Sequence, residues 1–139
     1  MAKTSIYLNF KGRTEAAFEL YRSIFRTDYV GPIHRIKELP APPGKPLTVE
    51  EGNRIMHMAL PILGGTLLRG TDVPSVAEGT NVSIMVEPDS RAEAERLFEA
   101  LAAGGKVVMP LADMPWGAYF GQLVDRFGVQ WFVNIDAAG

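Results

Sequence analysis

The sequence predicts an α+β fold in which two modules share the element order β-α-β-β-β. One amphipathic helical pattern occurs in each half of the chain, and segments of alternating apolar and polar residues surround both patterns. A partial internal repeat supports the duplication, because Ser5-Ile6 returns as Ser83-Ile84. We therefore expect modules at about residues 4–73 and 79–136, packed as a single domain, 1–139, with a curved mixed sheet and the helices outside.

The first module is expected to begin with a strand over residues 5–10, where apolar and polar side chains alternate. A helix is predicted over residues 14–25, since its apolar residues recur at helical spacing and Thr14 is a candidate N-cap. The other expected elements are strands at 29–39, 54–61 and 66–70, a proline-rich loop at 40–52 and a turn at Gly64-Gly65.

The second module is expected to begin with a strand over residues 81–86. A helix follows, which starts at a candidate capping box of Ser90 and Glu93 and ends at Gly104-Gly105. Three further strands are predicted at 107–114, 119–124 and 129–135. The alternative fold is a ferredoxin-like α+β sandwich, which has fewer strands, so the strand count distinguishes the two folds.

Composition and charge exclude several classes of protein. Cysteine is absent, which excludes disulfide scaffolds and thiolate metal sites and favours a reducing, cytoplasmic location. The formal charge is −2 and the basic residues are scattered, so we expect neither nucleic acid nor a membrane surface as a partner. No apolar run approaches the roughly 18 residues that span a bilayer.

The stretch Trp116 to Trp131, with the sequence WGAYFGQLVDRFGVQW, and Val133-Asn134 after it resemble the PhnB-like branch of the vicinal-oxygen-chelate superfamily. This superfamily contains glyoxalases, bleomycin resistance proteins and dihydroxybiphenyl dioxygenases. The similarity continues at Tyr7–Phe10, Ile55–His57 and Gly79–Val82, whereas Arg26 stands where the family commonly has glycine. The resemblance implies the glyoxalase/bleomycin-resistance fold, a homodimer, and small-molecule pockets formed by strands of both modules.

For the better-known superfamily enzymes, the resemblance also implies a divalent metal held by His, Gln or Glu at four strand positions. By approximate alignment these positions fall on Ile6 or Tyr7, Leu68 or Arg69, Asn81 or Val82, and Phe132. None of them offers an imidazole or a carboxylate, so we predict no metal ligands and no cofactor. The resemblance also implies a methyltransferase-like name, but the sequence does not predict that activity, because no glycine-rich cofactor loop follows a predicted strand.

Two polar residues are the leading candidates for binding. His57 alternates with Ile55 and Ala59 on one predicted strand face and could act as an acid, a base or a hydrogen-bond donor; the alternative is a solvated or internally paired histidine. Arg69, at the end of a strand, could bind a carboxylate or phosphate through its paired donors. The alternative for Arg69 is a surface salt bridge.

Aromatic and amide side chains supply the other candidates. Trp116 and Tyr119 could form an aromatic wall for a flat or apolar ligand, although a Pro-Trp-Gly turn is also typical of a packing anchor. The remaining candidate ligand-binding residues lie on the polar faces of predicted strands: Tyr7, Asn9, Ser83, Gln122 and Asn134.

These residues favour a dimeric small-molecule-binding protein without a recognisable set of metal ligands, whose ligand the sequence leaves open. The first alternative is a metal-dependent enzyme of the superfamily, a lyase, isomerase or dioxygenase-like protein that recruits a metal through His57. The second is a structural or regulatory dimer in which bulky side chains fill the pocket: Met56, Met58, Phe120 and Phe132.

Overall fold

The chain folds into two compact units, Met1–Ala77 and Glu78–Gly139, in a computed structural model that describes residues 2–40 and 44–137. Each unit contains one four-stranded sheet, and one long helix packs on it. Among the described residues, none of the helices is both long enough and apolar enough to cross a bilayer.

The first unit has strands β1 (Ile6–Phe10), β2 (His34–Arg35), β3 (Ile55–Pro61) and β4 (Leu67–Asp72), and helices α1 (Thr14–Phe25) and α2 (Val49–Asn53). Its sheet has the strand order β1-β4-β3-β2. The first strand runs parallel to the last, and the other two neighbouring pairs are antiparallel.

The second unit has strands β5 (Ile84–Val86), β6 (Lys106–Asp113), β7 (Tyr119–Val124) and β8 (Gln130–Ile135), and helix α3 (Arg91–Ala102). Its strand order, β5-β8-β7-β6, repeats the topology of the first sheet, with the outer pair β5 and β8 parallel. The predicted order β-α-β-β-β is confirmed in both halves. Eight strands in the described residues favour this fold over the ferredoxin-like alternative.

The strand predicted at 29–39 was wrong for most of its length, since the observed strand covers only His34–Arg35. Gly31 has a φ of +72° and Pro32 lacks an N–H donor, so the regular ladder is interrupted before His34, although the Val30 N–H still donates to the Ala59 carbonyl of β3 at 2.9 Å. After Arg35 the chain turns into a short 3₁₀ segment, Ile36–Glu38, in which the Glu38 carboxylate accepts a hydrogen bond from the Arg35 backbone N–H.

Helix α2 interrupts the loop predicted at 40–52, although residues 41–43 of that loop lie outside the described residues. The helix begins at a capping box: the Thr48 hydroxyl accepts from the Glu51 N–H, and the Glu51 carboxylate accepts from the Thr48 N–H, both at 3.1 Å. The sequence contains this signature, a threonine three residues before a glutamate, and the proline-rich surroundings concealed it.

The strand predicted at 81–86 is shorter than expected, because only Ile84–Val86 pairs with β8. The Gln130 side-chain amide donates to the Val82 carbonyl at 2.8 Å, and this contact takes the place of a ladder hydrogen bond. The predicted helix in this unit has Ser90 as its N-cap, whose hydroxyl accepts from the Glu93 N–H at 3.1 Å. The Glu93 carboxylate also forms a bidentate pair with Arg96.

Thr14 was predicted as the N-cap of α1, and this prediction is wrong. Thr14 is the first helical residue, and both its N–H and its hydroxyl donate to one carboxylate oxygen of Asp72, at 3.0 and 2.7 Å. The other oxygen of Asp72 accepts from the Ile55 N–H at 2.8 Å. One carboxylate therefore joins the start of α1, the start of β3 and the end of β4.

A glycine in each sheet lets the long helix approach closely. A Cβ placed on Gly70 of β4 would lie 2.7 Å from the ring of Phe18 in α1, and a Cβ on Gly121 of β7 would lie 2.7 Å from Phe98 in α3. Because side chains alternate along a strand, these contacts define the helix-covered face of each sheet.

We expect Gly70→Ala to destabilise the first unit. The added methyl would meet Phe18 and Thr14, which are both completely buried, and such overpacking costs about 1–3 kcal/mol. This exceeds the roughly 0.5–1 kcal/mol that alanine gains over glycine from backbone entropy. Urea denaturation should therefore give a lower free energy of unfolding, whereas Gly79→Ala, whose Cβ would make only an ordinary contact of 3.6 Å with the Asn81 side chain, should change it by less than about 0.5 kcal/mol. Equal effects of the two substitutions would contradict this account.

Candidate ligand-binding site

A cluster of polar side chains lies on the face of the first sheet opposite α1, which we call the Arg69 face. Leu68 and Gly70 point toward α1, so Arg69 between them points to the other side. Tyr7 is the partner of Arg69 in the parallel register with β1, and Ala59 is its partner in β3. His57, two residues before Ala59, shares this face, as does Asn9 in β1.

Arg69 and His57 are in direct contact on this face. The Arg69 Nη1 and His57 Nε2 atoms are 3.1 Å apart, and the Tyr7 and His57 rings lie with their centroids 6.2 Å apart and their planes tilted by 50°. Three predicted site residues from three strands therefore come together. Tyr7 is 49% exposed, so this cluster is accessible to a ligand. Asn9 is also exposed and lies two residues after Tyr7, on the same face of β1.

His57 is held in its neutral form. Because a guanidinium can only donate, Nε2 must accept the hydrogen bond from Arg69, which places the imidazole proton on Nδ1. Burial, then the positive charge of Arg69, and then His34 lower the pKa of His57 below its ordinary value of 6.5. At neutral pH the face therefore carries one fixed positive charge, on Arg69, beside an uncharged imidazole.

Ser5 is a member of this cluster that the sequence reasoning missed. Its hydroxyl lies 3.5 Å from the Arg69 Nε atom, a long contact, and it precedes Tyr7 by two positions on the same side of the chain. The alternation that placed Tyr7 and Asn9 on one face, extended back by one step, would have found it. Within the described residues, Arg69 has no carboxylate at salt-bridge distance, so the predicted alternative of a surface salt bridge is not what the structure contains.

The candidates in the second unit have different surroundings. Gln122 is half-buried on the face of its sheet opposite α3, directly across the ladder from Phe132. Phe132 makes an edge-to-face contact with Phe120, with ring centroids 5.3 Å apart, so this face is mainly aromatic. Ser83 is half-buried immediately before β5.

Asn134 is only 7% exposed, and its side-chain amide donates to two carboxylates, at 2.9 Å to Asp136 and 3.5 Å to Glu87. These contacts give Asn134 a structural role at the end of β8. The amide nitrogen is already engaged inside the unit, so Asn134 is a poorer candidate for contacting a ligand than Gln122.

Trp116 and Tyr119 do not form one aromatic wall on the face opposite α3. Tyr119 lies on the α3 side of its sheet, where its hydroxyl donates to Glu95 at 3.1 Å and the Arg91 guanidinium stacks 4.1 Å from its ring. Trp116 lies in the turn before β7 and is 69% exposed, so it does not anchor that turn by burial. Its exposed indole remains available to a ligand or a partner.

The side chains at the positions that hold metal in superfamily enzymes do not fit a divalent cation. In the first unit the approximate alignment gives Ile6 or Tyr7 and Leu68 or Arg69, and the Arg69 guanidinium repels a cation and donates to the His57 Nε2 lone pair that a metal would need. In the second unit it gives Asn81 or Val82 and Phe132, which offer neither an imidazole nor a carboxylate. Among residues 2–40 and 44–137, no group of three His, Asp or Glu side chains is arranged to hold a metal.

The fold belongs to the vicinal-oxygen-chelate class, which includes glyoxalases and bleomycin resistance proteins. A glyoxalase/bleomycin resistance protein/dioxygenase family enzyme from Burkholderia phytofirmans superposes with a TM-score of 0.62, at 15% identity over 93% of this chain and 95% of that one. At this identity the likeness establishes the fold alone.

Within this class the chain belongs to the PhnB-like family, whose sequence model is described as 3-demethylubiquinone-9 3-methyltransferase and matches residues 2–134. Protein PA1353 from Pseudomonas aeruginosa superposes with a TM-score of 0.83 at 35% identity, covering 99% of this chain and all of that one. A Bacillus cereus structure described as a putative 3-demethylubiquinone-9 3-methyltransferase, PhnB protein, gives 0.77 at 28% identity, covering 96% and 99%. The resemblance inferred from the sequence is therefore confirmed.

The similarity to curated relatives covers only part of the length of each relative. Protein YjdN from Escherichia coli is 30% identical over 82 residues, which is 58% of this chain and 56% of YjdN. The mycobacterial relative Mb0911c from Mycobacterium bovis is 34% identical over 104 residues, 67% of this chain and 60% of that protein. The chain thus spans little more than half of the curated relatives it matches.

We expect Arg69→Met to raise the pKa of His57. The substitution removes both the positive charge and the donor that stabilise the neutral imidazole, so the pKa should move toward 6.5. The chain has two histidines, so ring resonances followed by NMR during a pH titration can be assigned with a His34→Gln variant.

The matched control is Arg22→Met, which removes the same charge from α1 on the other side of the sheet. Since the folded pKa of His57 lies below its unfolded value, stability should fall as pH drops below about 6.5 toward the folded pKa, and this loss should shrink in Arg69→Met. An unchanged His57 pKa in Arg69→Met would contradict the pairing.

Proposed function

We propose that this PhnB-like protein binds a small molecule on the Arg69 face without using a metal. The observation that carries the proposal is the contact between Arg69 and His57, 3.1 Å long. It gives this part of the sheet a fixed cation and an imidazole whose Nε2 lone pair is already engaged, whereas a metal site needs free imidazole or carboxylate donors. A polar or anionic group of a ligand suits that environment, and a divalent cation does not.

The accessibility of the cluster supports binding rather than a purely structural role. About half of the Tyr7 surface is exposed to solvent. Within the described residues, the side chains of Ser5 and His57 accept from only some of the five N–H donors of Arg69. A planar guanidinium with five N–H donors recognises oxyanions and carbonyl oxygens with defined geometry. A bound ligand would accept hydrogen bonds from the Arg69 N–H groups that Ser5 and His57 do not engage.

The two alternatives are less well supported. A metal recruited through His57 would have to displace the Arg69 hydrogen bond and tolerate a guanidinium beside it. In the filled-pocket alternative, Met58 is fully buried on the α1 side of its sheet, and Met56 shares that side by alternation, so neither fills the Arg69 face. Phe120 and Phe132 do lie opposite α3 in their own unit.

The methyl transfer in the name of the matching family is not part of the proposal. Methyl transfer requires a bound methyl donor, and the sequence has no G-x-G-x-x-G loop of the kind that holds nucleotide cofactors. A fold shared with enzymes does not assign their chemistry, so binding is the function that the side chains of this chain support.

The proposal predicts that ligand binding survives removal of metal. Protein treated with a chelator should bind members of a small-molecule library, with amide shifts in a ¹H-¹⁵N NMR spectrum concentrated at Tyr7, His57 and Arg69. Arg69→Met should weaken such binding at least tenfold, because it removes a charge-assisted hydrogen bond. Arg22→Met is the matched control and should bind normally.

Titration of the same metal-free protein with Zn²⁺, Ni²⁺, Mn²⁺ and Fe²⁺, followed by calorimetry, tests the enzymatic alternative. We expect no stoichiometric binding that depends on His57. Stoichiometric binding that is lost in His57→Ala would overturn the proposal and favour a metal-dependent enzyme.

We further propose that the protein acts in the cytoplasm as a homodimer. The edge strand β6 supports self-association, because three consecutive apolar residues on it, Val107, Val108 and Met109, are each more than 40% exposed. Exposed apolar residues on an unpaired strand edge are typical of contact surfaces.

Val108→Lys should shift the protein toward the monomer, since a buried ammonium would oppose association. The mass measured by light scattering after size-exclusion chromatography tests this. Val49→Lys, at an exposed position on α2, should leave the mass unchanged. A wild-type protein that is monomeric at all concentrations would contradict the proposed dimer.

A further inference from the structure

Protonation of His57 would change the hydrogen-bonding role of the Arg69 face. In the neutral ring, Nε2 accepts from Arg69. Once protonated, Nε2 becomes a donor, so the hydrogen bond from Arg69 is lost and two positive groups stand about 3 Å apart. That arrangement is unfavourable by itself, but it is suited to a negative group that accepts from both.

The charged and titratable groups that face His57 come from three strands. Arg69 projects from β4 and Tyr7 from β1, and His34 of β2 is the register partner of His57. The His34 ring is itself paired through Nδ1 with Glu38 at 3.0 Å. Glu38 is engaged by His34 and by the Arg35 N–H, so the charged group in direct contact with His57 is the Arg69 guanidinium.

The donors that point to this region match the oxygens of a small oxyanion. Arg69 supplies a guanidinium fork, and its Nε–H approaches the Ser5 hydroxyl at a long 3.5 Å, so a better acceptor can compete for it. The phenol of Tyr7 adds an exposed ring beside His57. Such a set recognises an anionic head group attached to a flat or apolar body.

We propose that the Arg69 face is a proton-linked oxyanion site, at which a carboxylate, sulfonate or phosphate group of the ligand is bound by Arg69 and by a His57 that takes up one proton from solvent on binding. This inference rests on the proposed function and names its ligand class. In the free protein Arg69 donates to His57; in the complex both residues donate to the anion. Binding is therefore tighter at lower pH.

Burial and the neighbouring charge keep His57 neutral in the free protein, with a pKa below 6.5, so at neutral pH the proton must be acquired during binding. By linkage, the affinity for an anion that does not itself titrate falls by up to tenfold per pH unit above the pKa of free His57. The same linkage raises the pKa of His57 when the anion saturates the site.

Sulfate is a suitable probe, because it remains a dianion between pH 5 and 8 and its own titration does not confuse the result. The ring resonances of His57 are followed by NMR across this pH range with and without sulfate, at constant ionic strength set with sodium chloride. We expect sulfate to raise the His57 pKa and to shift the amide resonances of Tyr7 and Arg69. The apparent sulfate affinity should fall as pH rises from 6 to 8.

Three variants separate the contributions. His57→Gln keeps an acceptor for Arg69 but cannot take up a proton, so it should bind sulfate with no pH dependence. Arg69→Met should lose at least tenfold in sulfate affinity at every pH. Arg22→Met should behave as the wild type. Far-ultraviolet circular dichroism and the midpoint of thermal unfolding check that each variant is folded.

A flat pH profile in the wild type, or the same slope in His57→Gln, would overturn the proton linkage. Absence of any sulfate response at Tyr7, His57 and Arg69 would overturn the oxyanion site. If metal-free protein nevertheless binds uncharged library members at these residues, the proposed function stands and only this inference fails; if it binds nothing there, both fail.

Discussion

The close approach of a helix to one face of each sheet is the constraint on which the remaining structure depends. Phe18 of α1 lies over Gly70, and Phe98 of α3 lies over Gly121, with no room for a methyl group at either glycine. Buried apolar side chains supply the main driving force for folding. The contacts at Gly70 and Gly121 determine which face of each sheet carries those side chains. Side chains on the opposite face of each sheet do not pack against the helix, so they need not be apolar.

This freedom allows an arginine and a histidine to lie side by side on the Arg69 face. An arginine and a histidine on adjacent strands could not be placed within the core without a large desolvation cost. Half-buried on the second face, the guanidinium donates to the imidazole and keeps it neutral. The surroundings suppress the charge of the histidine without removing its capacity to bind a proton, which is the property that a responsive binding site requires.

The two units share a topology but differ in the chemistry of that second face. In the first unit it carries a phenol, an imidazole and a guanidinium; in the second it carries Gln122 and the contacting aromatic pair Phe120 and Phe132. The asparagine and aspartate at the end of the second sheet pair with each other, whereas Asp72 at the matching end of the first sheet joins three elements. A duplicated backbone therefore supports two different surfaces.

The elements with strong local patterns could be predicted from the sequence. Helices α1 and α3 fall where apolar residues recur at helical spacing, and β7 and β8 fall where they alternate. The weakly patterned segments could not. Only His34–Arg35 of a longer predicted segment forms a strand, since Gly31-Pro32 interrupts the ladder, and α2 depends on a single capping box within a loop. Short elements carry too little periodicity to outweigh such local signals.

The sequence by itself determined the family, the duplicated order of elements and the two faces of the long strands, because these follow from periodicity and from residues adjacent in the chain. It also identified Tyr7, His57 and Arg69 as separate candidates. Only the tertiary structure decided that these three meet, that Tyr119 lies on the α3 side, and that Asp72 rather than Thr14 accepts at the start of α1. The physical reason is that strand register and hydrogen-bond partners join residues far apart in sequence, and alternation along one strand does not specify its neighbour.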